Sequence, residues 1–138
     1  MTAKEYLYKV LDANLELKSK EDELETYRQN CYSISAIDYS KDRVTGGAST
    51  DTSDKIVKLL QLIQDVDQQW AELIQLRAEA NRLINNVEES NLRVLLIQRY
   101  VLGKNWQDVA NFMLISEDHA RGYLNGKAIQ QFSKINTD

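Results

Sequence analysis

The sequence predicts an all-α fold. Proline is absent and only 5 glycines occur in 138 residues, a poor supply of the residues that turn corners between many short strands, which argues against an all-β sandwich or barrel. Apolar residues recur at seven-residue spacing over two long stretches, and the last third switches to shorter amphipathic segments. With 43% hydrophobic and 28% charged residues the composition is that of a soluble globular protein with a real core.

From Ala3 to Cys31 the apolar positions are Ala3, Tyr6, Val10, Ala13, Leu17, Leu24, Tyr27 and Cys31, with only Lys20 out of pattern. This spacing predicts a long amphipathic helix. The tract that follows, SISAIDYSKDRVTGGAST, replaces periodic leucines with serine, threonine, aspartate and the Gly46-Gly47 pair, so a loop is expected over about 33–52, held down by Ile34, Ile37, Tyr39 and Val44.

The heptad returns at Ile56 and runs through Leu59, Ile63, Val66, Trp70, Leu73, Arg77, Ala80, Ile84 and Val87. Such a seam must pair along most of its length. Residues 1–87 are therefore read as a helical hairpin or coiled-coil arm that also serves homodimerisation, because two helices alone leave much apolar surface wet. Arg77 breaks the apolar seam; it either fixes register or carries its charge out to solvent.

Asn85 and Asn86, then Glu88-Glu89, mark a break, with Ser90 suited to cap a new helix. Residues 88–138 form the second unit, expected to hold three short helices. Leu92, Leu95 and Leu96 give the first face, which ends at Leu102-Gly103, where a helix C-terminus needs a residue at positive φ. A second helix starts near Asn105 with Trp106, Val109, Ala110 and Met113 inward. Ser116 caps the third, whose inner stripe is Ala120, Tyr123, Leu124, Ala128 and Phe132, leaving Glu117, Asp118, Arg121, Gly122 and Asn125 outward.

Two helices joined by a short turn, with Ala110 allowing a close crossing, follow the helix-turn-helix plan, in which the second helix enters the DNA major groove. On that plan Glu117, Asp118, Arg121, Gly122 and Asn125 lie at the bases: Arg121 can bind guanine, Asn125 adenine, and an acid the cytosine amino group. Arg93, Lys104, Ser116, Lys127 and Lys134 are the phosphate candidates. His119, early in the same helix, is read as an ordinary exposed histidine.

Net charge is -4, distributed unevenly: residues 1–90 hold 11 Lys and Arg against 17 Asp and Glu, whereas 91–138 hold 6 against 4. The acidic arm reads as a solvated face. One Cys and one His exclude an internal disulfide and a His/Cys zinc cage, so no metal and no cofactor are expected. No phosphate-binding loop, dinucleotide glycine pattern, zincin motif or nucleophile elbow is present, and the neighbouring acids Asp65/Asp67 and Glu88/Glu89 do not face one another on a helix, so no enzyme is expected. The longest apolar runs are four residues and the N-terminus has no apolar signal region, which predicts a cytoplasmic protein without a membrane partner.

The stretch LRVLLIQRYVLGKNWQDVANFMLISEDHARGYLNGKAIQQF resembles region 4 of sigma factors, and more closely the small phage transcriptional regulators of the RinA/ArpU type. The resemblance rests on Arg99, Tyr100, Gly103, Lys104 and Trp106, on Val109-Ala110, on Ser116, and on Ala128 and Phe132. The tract YSKDRVTGG also resembles that family's segment between an N-terminal and a long central helix. This sequence departs from the pattern at Leu114, where many helix-turn-helix proteins have glycine, implying a turn without positive φ, and at Gly122 and Gly126 inside the reading helix. The resemblance implies regulation of phage late genes in a bacterial host cell, through double-stranded DNA upstream of packaging genes and with host RNA polymerase as a further partner. The rival readings are a small phage DNA-packaging protein of the terminase small-subunit kind and a helical protein-interaction module without DNA.

Overall fold

A computed structural model describes the backbone of residues 1–41 and 47–136, with side chains described outside 32–51. Among the described residues the structure is helical throughout, as the periodicity predicts, and none of its helices is long and apolar enough to cross a membrane.

Helix α1 spans Ala3–Lys41. Its start is set by Thr2, whose Oγ1 accepts from the Glu5 amide at 3.1 Å, a hydroxyl cap with the acid three residues on. Helix α2 spans Gly47–Ile84 and ends in the turn at Asn85-Asn86, where the sequence places a break. The loop expected over about 33–52 is corrected: α1 continues through Lys41 and α2 begins at Gly47, so most of that tract is helical. Serine, threonine and aspartate cost a helix only about 0.5 kcal/mol each, and no proline stops it. The anchoring roles expected of Ile34, Ile37, Tyr39 and Val44 lie outside the described residues.

The chain divides into two compact units, one of Met1–Leu15 with Glu72–Asp138, the other of Glu16–Ala71. The division cuts across both long helices and not between residues 87 and 88. In the second unit α1 and α2 run antiparallel: Trp70 Nε1 donates to Glu21 Oε2 at 2.9 Å, and the Tyr27 hydroxyl donates to the Lys55 carbonyl at 3.2 Å. Leu17, Leu62 and Val66 are buried there, while Ile56, Val57 and Leu60 each stay more than half exposed. Of the expected seam, Val66, Leu73 and Ile84 are buried and Leu59, Ile63, Trp70 and Arg77 half-buried; Ile56 faces water, and Leu62, off the heptad, is buried.

The first unit holds the main core. Leu7, Val10 and Leu11 of α1 and Ala80, Ile84 and Val87 pack with Leu92, Leu95, Leu96, Tyr100, Val101, Val109, Leu124, Ala128 and Phe132. The N-terminal turns are thus part of the C-terminal module's interior. Leu7 and Leu11 lie off the heptad because this end of α1 is surrounded rather than paired along one stripe.

Helix α3 (Ser90–Leu96) runs on into a π-helical turn, Ile97–Val101. Ser90 is its first residue and not its cap; Glu89 stands at the cap without a side-chain bond, and Arg93 Nη1 instead ties the preceding turn by donating to the Val87 and Glu88 carbonyls. Gly103 takes φ +73, as a helix end here requires. A Cβ on Gly103 would lie 2.9 Å from the Asn14 Cβ, so the position demands glycine twice over. Asn14 is buried, and its amide donates to the carbonyls of Val10, Tyr100 and Val101 at 2.9, 3.2 and 3.1 Å while its oxygen accepts from Arg77 Nη2. Arg77 therefore closes a polar cluster inside the unit, and burial pushes its guanidinium pKa down.

Candidate nucleic-acid interface

Helix α4 spans Trp106–Met113 and is capped by Asn105, whose side chain accepts from the Asp108 amide at 2.8 Å. Its inner residues Val109 and Ala110 are buried and Trp106 and Met113 half-buried. The helix closes at Leu114, which adopts φ 61 and ψ 42, with the Ile115 amide donating to the Ala110 carbonyl at 3.1 Å. The expectation of a turn without positive φ is thereby corrected. The chain reversal needs a left-handed residue whatever its identity, and Leu114 takes that conformation at a local cost of about 1 to 2 kcal/mol while staying 90% exposed.

Ser116 caps α5 (Glu117–His119), accepting from the His119 amide at 3.1 Å. A second π-helical turn, Ala120–Leu124, joins α5 to α6 (Asn125–Ile135) without interruption. Ala120, Leu124, Ala128 and Phe132 are buried, each four residues from the last. That spacing, widened by the π turn, turns Tyr123 out of the inner stripe where the 3.6-residue period puts it; it is 64% exposed and its ring stacks on His119 at 5.6 Å.

The outward face carries Glu117, Asp118, Arg121 and Gly122, all exposed. Arg121 Nη2 donates to Asp118 Oδ1 at 3.0 Å, and its Nη1 lies 4.0 Å from Glu117 Oε1. Gly122 and Gly126 have open space where a Cβ would stand. Asn125 departs from the expected set: it is half-buried, and its Oδ1 accepts from the Tyr100 hydroxyl at 2.8 Å. The oxygen that a paired contact to adenine uses is already engaged, because the Tyr100 hydroxyl, itself buried, needs an acceptor. Burial also pushes the Tyr100 phenol up to about 12.

The phosphate candidates are distributed more widely. Lys104 Nζ donates to Gln98 Oε1 at 2.6 Å and sits 5.0 Å over the exposed Phe112 ring. Lys127 pairs with Glu89 at 3.4 Å, Arg93 is bonded to two backbone carbonyls, Ser116 serves as a cap, and Lys134 is exposed at the far end of α6. Arg99, which the sequence marked only as a residue of the family resemblance and not as a phosphate candidate, belongs beside Lys104: its guanidinium lies 4.7 Å over Trp106 and donates to the Lys104 carbonyl at 2.9 Å. The RY-x-x-G-K-x-W spacing was its only signal. Cations and aromatic faces thus cluster where α4 begins, a combination suited to a sugar-phosphate backbone.

Fold and surface together define an all-helical protein with a compact module whose two joined helices, α4 and α5–α6, present an uncovered polar face. Residues 33–129 match a family of proteins of unknown function, DUF1492, and the chain belongs to that family. The matched stretch includes α2, α3, α4 and the outward face through Gly126. No match is found among curated proteins or solved structures. Among the described residues no group of His, Cys, Asp and Glu is placed to hold a metal ion.

Proposed function

We propose that this chain is a sequence-specific double-stranded-DNA-binding transcriptional regulator, of the sigma-region-4-like kind found in phage regulators of the RinA/ArpU type. The observation that carries the reading is the face of α5–α6: capped by Ser116 and braced through Ala120 and Leu124, it holds Glu117, Asp118, Arg121 and Gly122 exposed together on one side of the helix. Such a helix enters a major groove N-terminus first, with Arg121 at the bases and the Arg99 and Lys104 cluster at the backbone. Residues 91–138 carry 6 Lys and Arg against 4 Asp and Glu, so one copy binds weakly. Two copies joined through the arm, where Ile56, Val57 and Leu60 stand open, gain effective concentration on paired half-sites. Host RNA polymerase is the further partner of a regulator of phage late genes, in the bacterial cytoplasm, and the role is non-catalytic.

Fluorescence anisotropy of the full chain on labelled duplexes from its own genomic neighbourhood, scanned across salt with unrelated DNA as control, tests this. Saturable binding that prefers one duplex and weakens as salt rises is expected. Absence of binding to every duplex at low salt overturns it and leaves the arm as a protein-interaction surface.

A further inference from the structure

Arg121 shares its face with two acids, and their spacing matters. Asp118 and Glu117 lie three and four residues before it on the same helical side, at 3.0 and 4.0 Å, with side-chain exposures of 53% for Arg121, 90% for Asp118 and 48% for Glu117. Exposed pairs of this kind contribute at most about 1 kcal/mol to stability. Ser116 already caps the helix, and as first-turn acids the two add only the modest helix-dipole stabilisation, about 0.3 to 1 kcal/mol each. Their effect falls on what the guanidinium can bind. An unescorted arginine on a DNA-facing surface takes any phosphate, which raises affinity for every duplex alike. Beside two carboxylates, an approaching phosphate meets like charge. A guanine edge offers two neutral acceptors, O6 and N7, and meets none. Asp118 occupies one of the five guanidinium hydrogens, leaving enough for a paired contact.

Resting on the DNA-binding reading above, we infer that Glu117 and Asp118 are positioning residues that orient Arg121 toward guanine and bar it from phosphate. They set the ratio of specific to non-specific binding and do not themselves read bases. Glu117 and Asp118 are two of the four acids in residues 91–138; by holding the module's charge down they keep sequence-independent phosphate binding low, so a larger share of its affinity depends on the base contact.

The test is the double variant E117Q/D118N, which keeps size and hydrogen-bonding capacity and removes both charges. Its affinity is measured on the parent's preferred duplex and on a scrambled duplex across salt. The freed Arg121 gains one phosphate contact. Scrambled DNA is therefore bound about tenfold tighter at 0.1 M salt, with a salt slope steeper by about 0.9. The specificity ratio falls about tenfold, the melting temperature falls by no more than a few degrees, and D118E alone retains the parent's ratio. A parent that discriminates between duplexes while the double variant keeps the parent's slope and ratio overturns this inference alone. So does a variant that loses only its preferred duplex, since the acids then read bases directly. A parent that binds neither duplex overturns the DNA-binding reading, and the inference with it.

Discussion

Replacing Asn14 with alanine removes the polar cluster that joins three segments of the first unit. The last carbonyls of the turn ending at Val101 have no amide ahead of them to accept from, because the chain reverses at Gly103, and the Asn14 amide supplies their donors at 3.2 and 3.1 Å. Tyr100 and Val101 are 0% and 1% exposed, so water cannot replace those bonds cheaply. Two orphaned carbonyls at about 1 kcal/mol each, plus the lost acceptor for the half-buried Arg77 at about 1 to 2 kcal/mol, make Asn14→Ala destabilising by roughly 3 to 4 kcal/mol. For a chain of this size that lowers the melting temperature by about 10 °C. Circular dichroism at 222 nm during thermal and urea unfolding measures it, with exposed Asp12→Ala as the control. A shift of Asn14→Ala below about 1 kcal/mol would refute the claim that this side chain completes the module.

Gly103→Ala destabilises by about 2 kcal/mol or more, since the new Cβ meets Asn14 at 2.9 Å and the residue keeps φ +73; urea midpoints report it. Gly122→Ala and Gly126→Ala each stabilise by about 1 kcal/mol, there being open space at both positions, and a calorimetric loss of stability in either contradicts the exposed-face geometry. Arg121→Ala weakens binding to the preferred duplex by about tenfold or more while leaving the melting temperature within a few degrees, read by anisotropy and calorimetry side by side. Burial holds the Tyr6 and Tyr100 phenols up to about 12 against an ordinary 10.0. Their contribution to stability is full below pH 10, because the unfolded chain ionises first, and it is lost as pH rises from 10 to 12. Unfolding followed against pH, with tyrosinate absorbance as the second signal, shows a midpoint that is flat below pH 10 with respect to these groups and falls above it.

Local chemistry made some elements legible and tertiary packing concealed others. The helix start near Asn105, the cap at Ser116, the left-handed Gly103 and the break at Asn85-Asn86 were readable because each depends on a few neighbouring atoms. Leu114 was not, since the geometry of a reversal can impose positive φ on a residue whose own preference lies elsewhere. A fixed 3.6-residue period cannot anticipate the two π turns, and the second, Ala120–Leu124, accounts for Tyr123 turning outward and Asn125 turning inward. Asn14 lay at neither an apolar nor a motif position, so nothing in the heptad pattern marked it as buried. In the candidate site the sequence located the exposed acids and Arg121, but not that they bond to one another, nor that Arg99 stacks on Trp106 beside Lys104.

On the DNA-binding proposal, the Glu117 to Gly126 face enters the groove. Nuclear magnetic resonance of the isotopically labelled full chain, titrated with its preferred duplex, tests it residue by residue. Amide shifts are expected to concentrate between Ser116 and Gly126 and around Lys104 to Gln107, with the hairpin's exposed residues little changed. Shifts confined to α2 around Ile56 to Leu60, or none at all between Ser116 and Gly126, would contradict it.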